Sequence, residues 1–301
     1  LTFVVVRLVV LYWGTNAVYF DEELATGLIA AHLIEGLRLP LLDYQIAGHL
    51  GGTLFVGVLA APFFLALGPQ LFALKLVPLL LQSVTLVLWY LVGERMGSRF
   101  VAVAVACLLI APPQLLTRFS LVAVGFHPET LLFSAAAALC LFRVTDGTEA
   151  RGGRELMFGL ACGLGVWVGY IFVPTLATSL IYRTAVDRAW LQRRTSLIFA
   201  VGLVLGLAPW LAFNLTHGFV GLDWFAPPGG REPVAVSARI LAALRFVTVD
   251  LFFSFAGGLE NLEGLVVASV FTIATAGSVV VAALALLRGR SQATPMLWFL
   301  M

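Results

Sequence analysis

Apolar runs long enough, or nearly long enough, to cross a bilayer recur along this chain, and arginines collect in the short segments between them. A spanning helix needs about 20 apolar residues, within a range of about 17–25. The candidate spans are 71–92, 100–116, 130–142, 156–170, 171–182, 195–213 and 264–287, preceded by a first hydrophobic segment over about 1–19. Stretch 130–142 and the pair 156–182 are short, which leaves two readings, tilted spans or a re-entrant hairpin. Composition agrees: 61% of the residues are hydrophobic and 11% charged, against about 45–50% and about 25% in soluble domains. The expected fold is all-α, a polytopic transmembrane bundle.

Arginine-bearing loops face the cytoplasm in such proteins. Arg95 with Arg99, then Arg143, Arg151 and Arg154, then Arg183, Arg188, Arg193 and Arg194, and finally Arg288 with Arg290 form four such loops. One scheme puts all four on the same side. It requires that 52–68, a little short for a span and interrupted by Pro62, lies in the interface, and that 156–182 crosses an even number of times. The opposite side then receives every histidine (His32, His49, His127 and His217) and most carboxylates, although neither was used to choose it. The expected organisation is a single transmembrane domain over 1–301. It has a first extracytoplasmic loop at 20–70 carrying interfacial helices, and a long later one at 214–263. The chain starts at Leu1 and stops at Met301 inside apolar runs, so a piece of a longer protein is expected. A net charge of +2 gives no ground for nucleic-acid binding. Cys107, Cys140 and Cys162 sit in apolar runs without zinc or disulfide spacing and read as small hydrophobes.

Ionisable groups are expensive in so apolar a chain, so their placement is the main functional evidence. Asp21-Glu22-Glu23 stands where the first segment leaves the membrane. Residues 22–37 align Leu24, Leu28, Leu33, Ile34 and Leu37 on one helical face, the pattern of an interfacial helix. Asp21 would ordinarily cap that helix, with Glu22 and Glu23 complementing its dipole. The functional reading makes Asp21 a general base or cation ligand, with Glu22 behind it. His49 lies between Gly48 and Gly51-Gly52 and is either a solvated loop residue or a substrate or metal ligand. Lys75, the only lysine, begins the 71–92 helix; it either snorkels or contacts a lipid phosphate. His127-Pro128-Glu129 is ordinary helix-start chemistry or a second contribution to the Asp21 cavity. Pro112-Pro113 interrupts the helix before Arg118, a further candidate for substrate contact. Asn214-Leu215-Thr216 matches a glycosylation acceptor, a motif common by chance. Gly159 and Gly163 have the spacing of close helix packing rather than of a nucleotide loop.

In order, these features resemble the GT-C superfamily of integral-membrane glycosyltransferases, in particular bacterial relatives of protein O-mannosyltransferases and aminoarabinose transferases. The resemblance runs from about Tyr12 to Leu287. It rests on Asp21-Glu22 after the first helix, the turn Ala47-Gly48-His49, an apolar run ending in Leu67-Gly68, Lys75 near the start of the next helix, Gly93-Glu94-Arg95-Met96-Gly97 at its end, and Pro209-Trp210 with Asn214. It implies transfer of a sugar from a polyprenyl-phosphate donor to the hydroxyl of a glycan, lipid or protein acceptor. The implied place is the outer face of a bacterial inner membrane. Asp21 would be the general base or a metal ligand, Lys75 would contact the lipid phosphate, and His49, a candidate substrate contact, stands where relatives carry an acid or a histidine; Arg118, His127 and Glu129 are, from their own placement, candidates for the same substrate cavity. A divalent cation at Asp21 and His49 is the candidate cofactor, and no nucleotide cofactor is implied. Leu24 stands where aminoarabinose transferases carry an arginine, which argues against that sugar.

A multi-pass transporter or lipid flippase would also suit many spans, but such proteins place coupling charges near the midplane, often with internal repeats. An inactive scaffold subunit on the same fold is a third reading. The one-sided topology carries its own test: in intact cells an impermeant maleimide should label a cysteine introduced at Asp223 and spare one introduced at Arg188.

Overall fold

The computed structural model describes residues 2–16, 20–36, 50–96, 98–110, 114–125, 128–146 and 151–225, and every regular element among them is helical. The expected span at 264–287 and most of the 214–263 loop lie outside the described residues. The chain divides into two compact units, Leu1–Ile110 with Phe119–Gly221, and Ala111–Arg118 with Leu222–Met301. Nearly all described elements belong to the first unit.

Helix α1 (Thr2–Gly14) buries Phe3, Arg7 and Leu11, one residue per turn, and packs on α4. Helix α2 (Glu22–Glu35) ends at Gly36, whose φ of 70° closes the helix in the left-handed conformation. Helix α3 is Gly52–Leu67, and α4 runs Leu71–Met96. At 26 residues and a mean hydropathy of 2.1, α4 alone is long and apolar enough to cross a membrane among the described residues. The expected run 100–116 is divided into α5 (Arg99–Ile110) and α6 (Gln114–Phe119), with Pro112-Pro113 between them in the sequence.

Helices α7 (Glu129–Asp146) and α8 (Arg151–Val168) pack together, and α8 turns through extended Gly169 and a 3-10 turn, Tyr170–Phe172, into α9 (Val173–Val186). Arg183 near the end of α9 returns to Glu155 near the start of α8, at 3.0 Å. The segment 156–182 is therefore an antiparallel hairpin. The run 195–213 also breaks, into α10 (Arg194–Gly206) and α11 (Ala208–Thr216), bent by 61°. Pro209 explains the bend: it has no N–H to donate back and its ring collides with the preceding turn.

Contacts within the first unit sort the helix ends into two sets. Arg95 of α4 and Arg143 of α7 line one cavity. Arg154 donates to the Arg143 carbonyl at 3.1 Å, and Arg183 meets Glu155 beside it. Three of the arginine-bearing segments thus share one end. Lys75, at the other end of α4, lies about 30 Å away at about 1.5 Å per residue. Both ends of α3 belong to that second set: Gly52 abuts Gly125 and Val168, while Phe64 shares a groove with Glu23 and Leu71.

Among the described residues, many large apolar side chains are exposed and many polar ones are buried. Leu24, Leu28 and Leu33, the expected leucine face of α2, are exposed, while Glu23, Thr26 and Ala30 pack inward. Phe100 is 81% exposed and Leu65 73%, whereas Glu129, Glu155 and Asn214 are at 0%.

Glycines set the closest approach, between α8 and α10. A Cβ on Gly159 would collide with the Phe199 carbonyl, one on Gly163 with the Leu203 carbonyl, and one on Gly202 with the Leu156 carbonyl. Close packing is thus the role of Gly159 and Gly163, and backbone atoms cannot swing aside as side chains do. Gly163→Leu should destabilise the protein by at least about 1–3 kcal/mol, the usual overpacking range. Gly153→Ala, where a Cβ meets open space, should leave the melting temperature in detergent unchanged or slightly raised.

Candidate functional site

The acid at the head of α2 that the fold holds inside is Glu23. Its Oε1 accepts the Ala123 N–H at 2.8 Å and its Oε2 accepts the Phe20 N–H at 3.2 Å. Lys75 Nζ stands 3.5 Å from Oε2, with the two side chains 1% and 0% exposed. Phe20 and Glu23 bond each other twice, since the Glu23 N–H also donates to the Phe20 carbonyl at 3.0 Å. The Phe20 ring stacks on Phe119 with centroids 5.9 Å apart. Burial pushes the Glu23 carboxyl above its usual range, and the Ala123 N–H, the Lys75 ammonium and the Phe20 N–H draw it back.

Glu23 thereby ties α2 to α4 and to the segment Ser120–Gly125, which is buried throughout yet belongs to no helix. Backbone groups of such a segment need partners, and one comes from the start of α3. Thr53 Oγ1 donates to the Val124 carbonyl at 3.4 Å. The Gly51 N–H donates to the Trp167 carbonyl at 2.7 Å. Gly52 and Gly125, the latter at φ 97°, lie so close that neither could carry a Cβ. These glycines stand just after His49 and just before His127 in sequence; both histidines lie outside the described residues.

Asp21 occupies the N-cap position, but its side chain makes no capping hydrogen bond and is exposed. The ordinary capping role is therefore not realised. Glu22 is half-buried. Lys75 is buried against Glu23 rather than extended to the surface. Glu129 opens α7 and is completely buried. Arg118 is exposed and belongs to the second unit. Of the expected constellation, the structure brings Lys75 to the Asp21-Glu22-Glu23 turn. Of the candidate cation ligands, Asp21 is exposed and His49 lies outside the described residues. Among the described residues no three His, Cys, Asp or Glu side chains gather.

Beside Glu23, between α2 and the start of α4, lies a largely apolar groove of about 270 Å3, lined among others by Leu24, Leu28, Phe64, Leu71 and Leu74. On the same unit, Trp210 Nε1 donates to the Tyr170 hydroxyl at 2.8 Å, and that hydroxyl donates to the Gly221 carbonyl at 2.9 Å. Asn214 clasps both sides: its amide nitrogen donates to the Trp210 carbonyl at 2.9 Å and its oxygen accepts the Gly221 N–H at 2.8 Å. Completely buried and engaged at both ends, it is not available as a glycosylation acceptor.

Two features escaped the sequence. Glu23 is hidden in a run of three acids, although its position on a face with Thr26 and Ala30, away from Leu24 and Leu28, is a readable signal. The second is Glu155, whose Oε1 accepts from Arg183 at 3.0 Å and from Trp190 Nε1 at 3.1 Å; with partners 28 and 35 positions away it had no local signal. No family model, curated protein or solved structure matches this chain.

A buried ion pair that loses one partner leaves a charge stranded, typically about 3–5 kcal/mol. Glu23→Gln and Lys75→Met should each destabilise the protein on that scale, and the double variant by clearly less than their sum. Additive effects in unfolding measurements would show that the pair is not coupled.

Proposed function

We propose that this chain is a polytopic membrane glycosyltransferase of the GT-C type, taking a sugar from a polyprenyl-phosphate donor at the outer face of a bacterial inner membrane. The observation that carries the reading is the mouth of α2. An exposed, uncapped carboxylate, Asp21, is held two residues from a buried acid that heads an apolar groove. Apolar helix surfaces with polar interiors suit a protein dissolved in lipid, as does the lengthwise division between arginines at one end and Glu23 with Lys75 at the other.

The isoprenoid chain lies along the groove walled by Leu24, Leu28, Leu71 and Leu74, which opens beside α2 and admits a lipid laterally. The acceptor hydroxyl gives its proton to the Asp21 carboxylate while its oxygen bonds the anomeric carbon. The bond from that carbon to the phosphate oxygen breaks, and polyprenyl phosphate leaves with the electron pair. Lys75, engaged with Glu23, is a positioning residue here: it fixes the turn that presents Asp21. Charges gathered at the helix ends rather than at mid-helix favour an enzyme over a transporter.

The test is release of polyprenyl phosphate from a labelled lipid-linked sugar by membranes carrying the protein. Asp21→Asn should lower transfer by at least about 100-fold, the scale of general-base catalysis, with unchanged expression and melting temperature. Full activity in that variant would remove Asp21 from the mechanism.

A further inference from the structure

The arginine-bearing end of the first unit holds a second cavity, of about 300 Å3, lined by Leu91, Glu94 and Arg95 of α4 and by Leu139 and Arg143 of α7. We propose that it binds the phosphodiester headgroup of an anionic phospholipid in the cytoplasmic leaflet. This rests on the membrane placement proposed above, not on sugar transfer.

Each helix contributes the same pair at the same spacing, a leucine and, one turn further, an arginine: Leu91 with Arg95 and Leu139 with Arg143. Side chains four apart share a helical face. The cavity is therefore apolar towards the bundle middle and cationic towards the helix ends, the polarity of a phospholipid from acyl chain to headgroup. Leu91 is 41% exposed, so the cavity opens sideways where a lipid would enter, while Leu139 at 9% forms its inner wall. Two guanidinium groups against one carboxylate leave a net positive lining. Guanidinium is the group best matched to phosphate oxygens. Both helices end here, and each C-terminus carries about half a negative charge. Glu94 and the two half-charges together balance Arg95 and Arg143, and Arg154, which donates to the Arg143 carbonyl, brings a third guanidinium beside the cavity that leaves the site net positive. Glu94 opposes an anion, which makes it a useful control.

The full chain, purified in detergent, would be titrated by native mass spectrometry with phosphatidylglycerol, phosphatidylethanolamine or inorganic phosphate. Phosphatidylglycerol should bind at least about tenfold more tightly than phosphatidylethanolamine. Arg95→Gln with Arg143→Gln should abolish that preference, and Glu94→Gln should strengthen it. The Glu94 variant keeps the test decisive should the double arginine variant not fold. Equal binding of the two lipids, a preference unaltered by both sets of variants, or saturation by inorganic phosphate that blocks phosphatidylglycerol would overturn the proposal. Recovery of the chain in soluble form without detergent would instead overturn the membrane placement itself.

Discussion

A carboxylate held away from water must find a partner for each oxygen or lose more than it gains. Glu23 meets that demand with two backbone N–H groups and the ammonium of Lys75, and these partners come from three different parts of the chain. The requirement is mutual. The Ser120–Gly125 segment, buried but not helical, needs an acceptor for the Ala123 N–H, and Lys75 needs an anion. Meeting these demands together brings the start of α2, the start of α4 and the approach to α7 to one place. The glycine contact of Gly52 with Gly125 then locks the start of α3 onto the same point.

The opposite end repeats the device with different residues. Glu155 accepts from Arg183 and Trp190, Arg183 stacks over the Trp190 ring at 5.4 Å, and Trp190 meets Phe199 edge-on at 5.5 Å. Between the two ends, association relies on close approach: glycines on α8 and α10 bring backbones together, and Ala30, Ala60 and Ala73 do so among α2, α3 and α4. In the membrane placement proposed here, where the surroundings would be as apolar as the side chains, tight packing and internal polar contacts would supply the attraction that water otherwise provides.

This division of labour shapes the functional reading. The residues that hold the turn before α2 are not the exposed ones. Glu23 and Lys75 are occupied with each other, and Asp21, beside them, is exposed without a capping contact. An exposed acid on an anchored turn, next to an apolar groove, is what the proposed general base requires. At the arginine-bearing end, Glu155 and Arg183 are engaged with each other inside the fold, and Arg95 and Arg143 line a cavity.

Helix content, the grouping of arginines and the acidic turn before α2 were all legible in the residues, because apolar run length and charge placement act locally. So was the close packing of Gly159 and Gly163, since small residues one turn apart form a stripe wherever a helix runs. The break of 195–213 could have been read from Pro209, but its 61° size depends on what α10 and α11 pack against. Which of three consecutive acids turns inward, and that the single lysine would meet it, were settled only in three dimensions. Partners such as Glu23 with Ala123, or Glu155 with Arg183, are far apart along the chain, and no local pattern encodes a contact that exists only once the helices have packed.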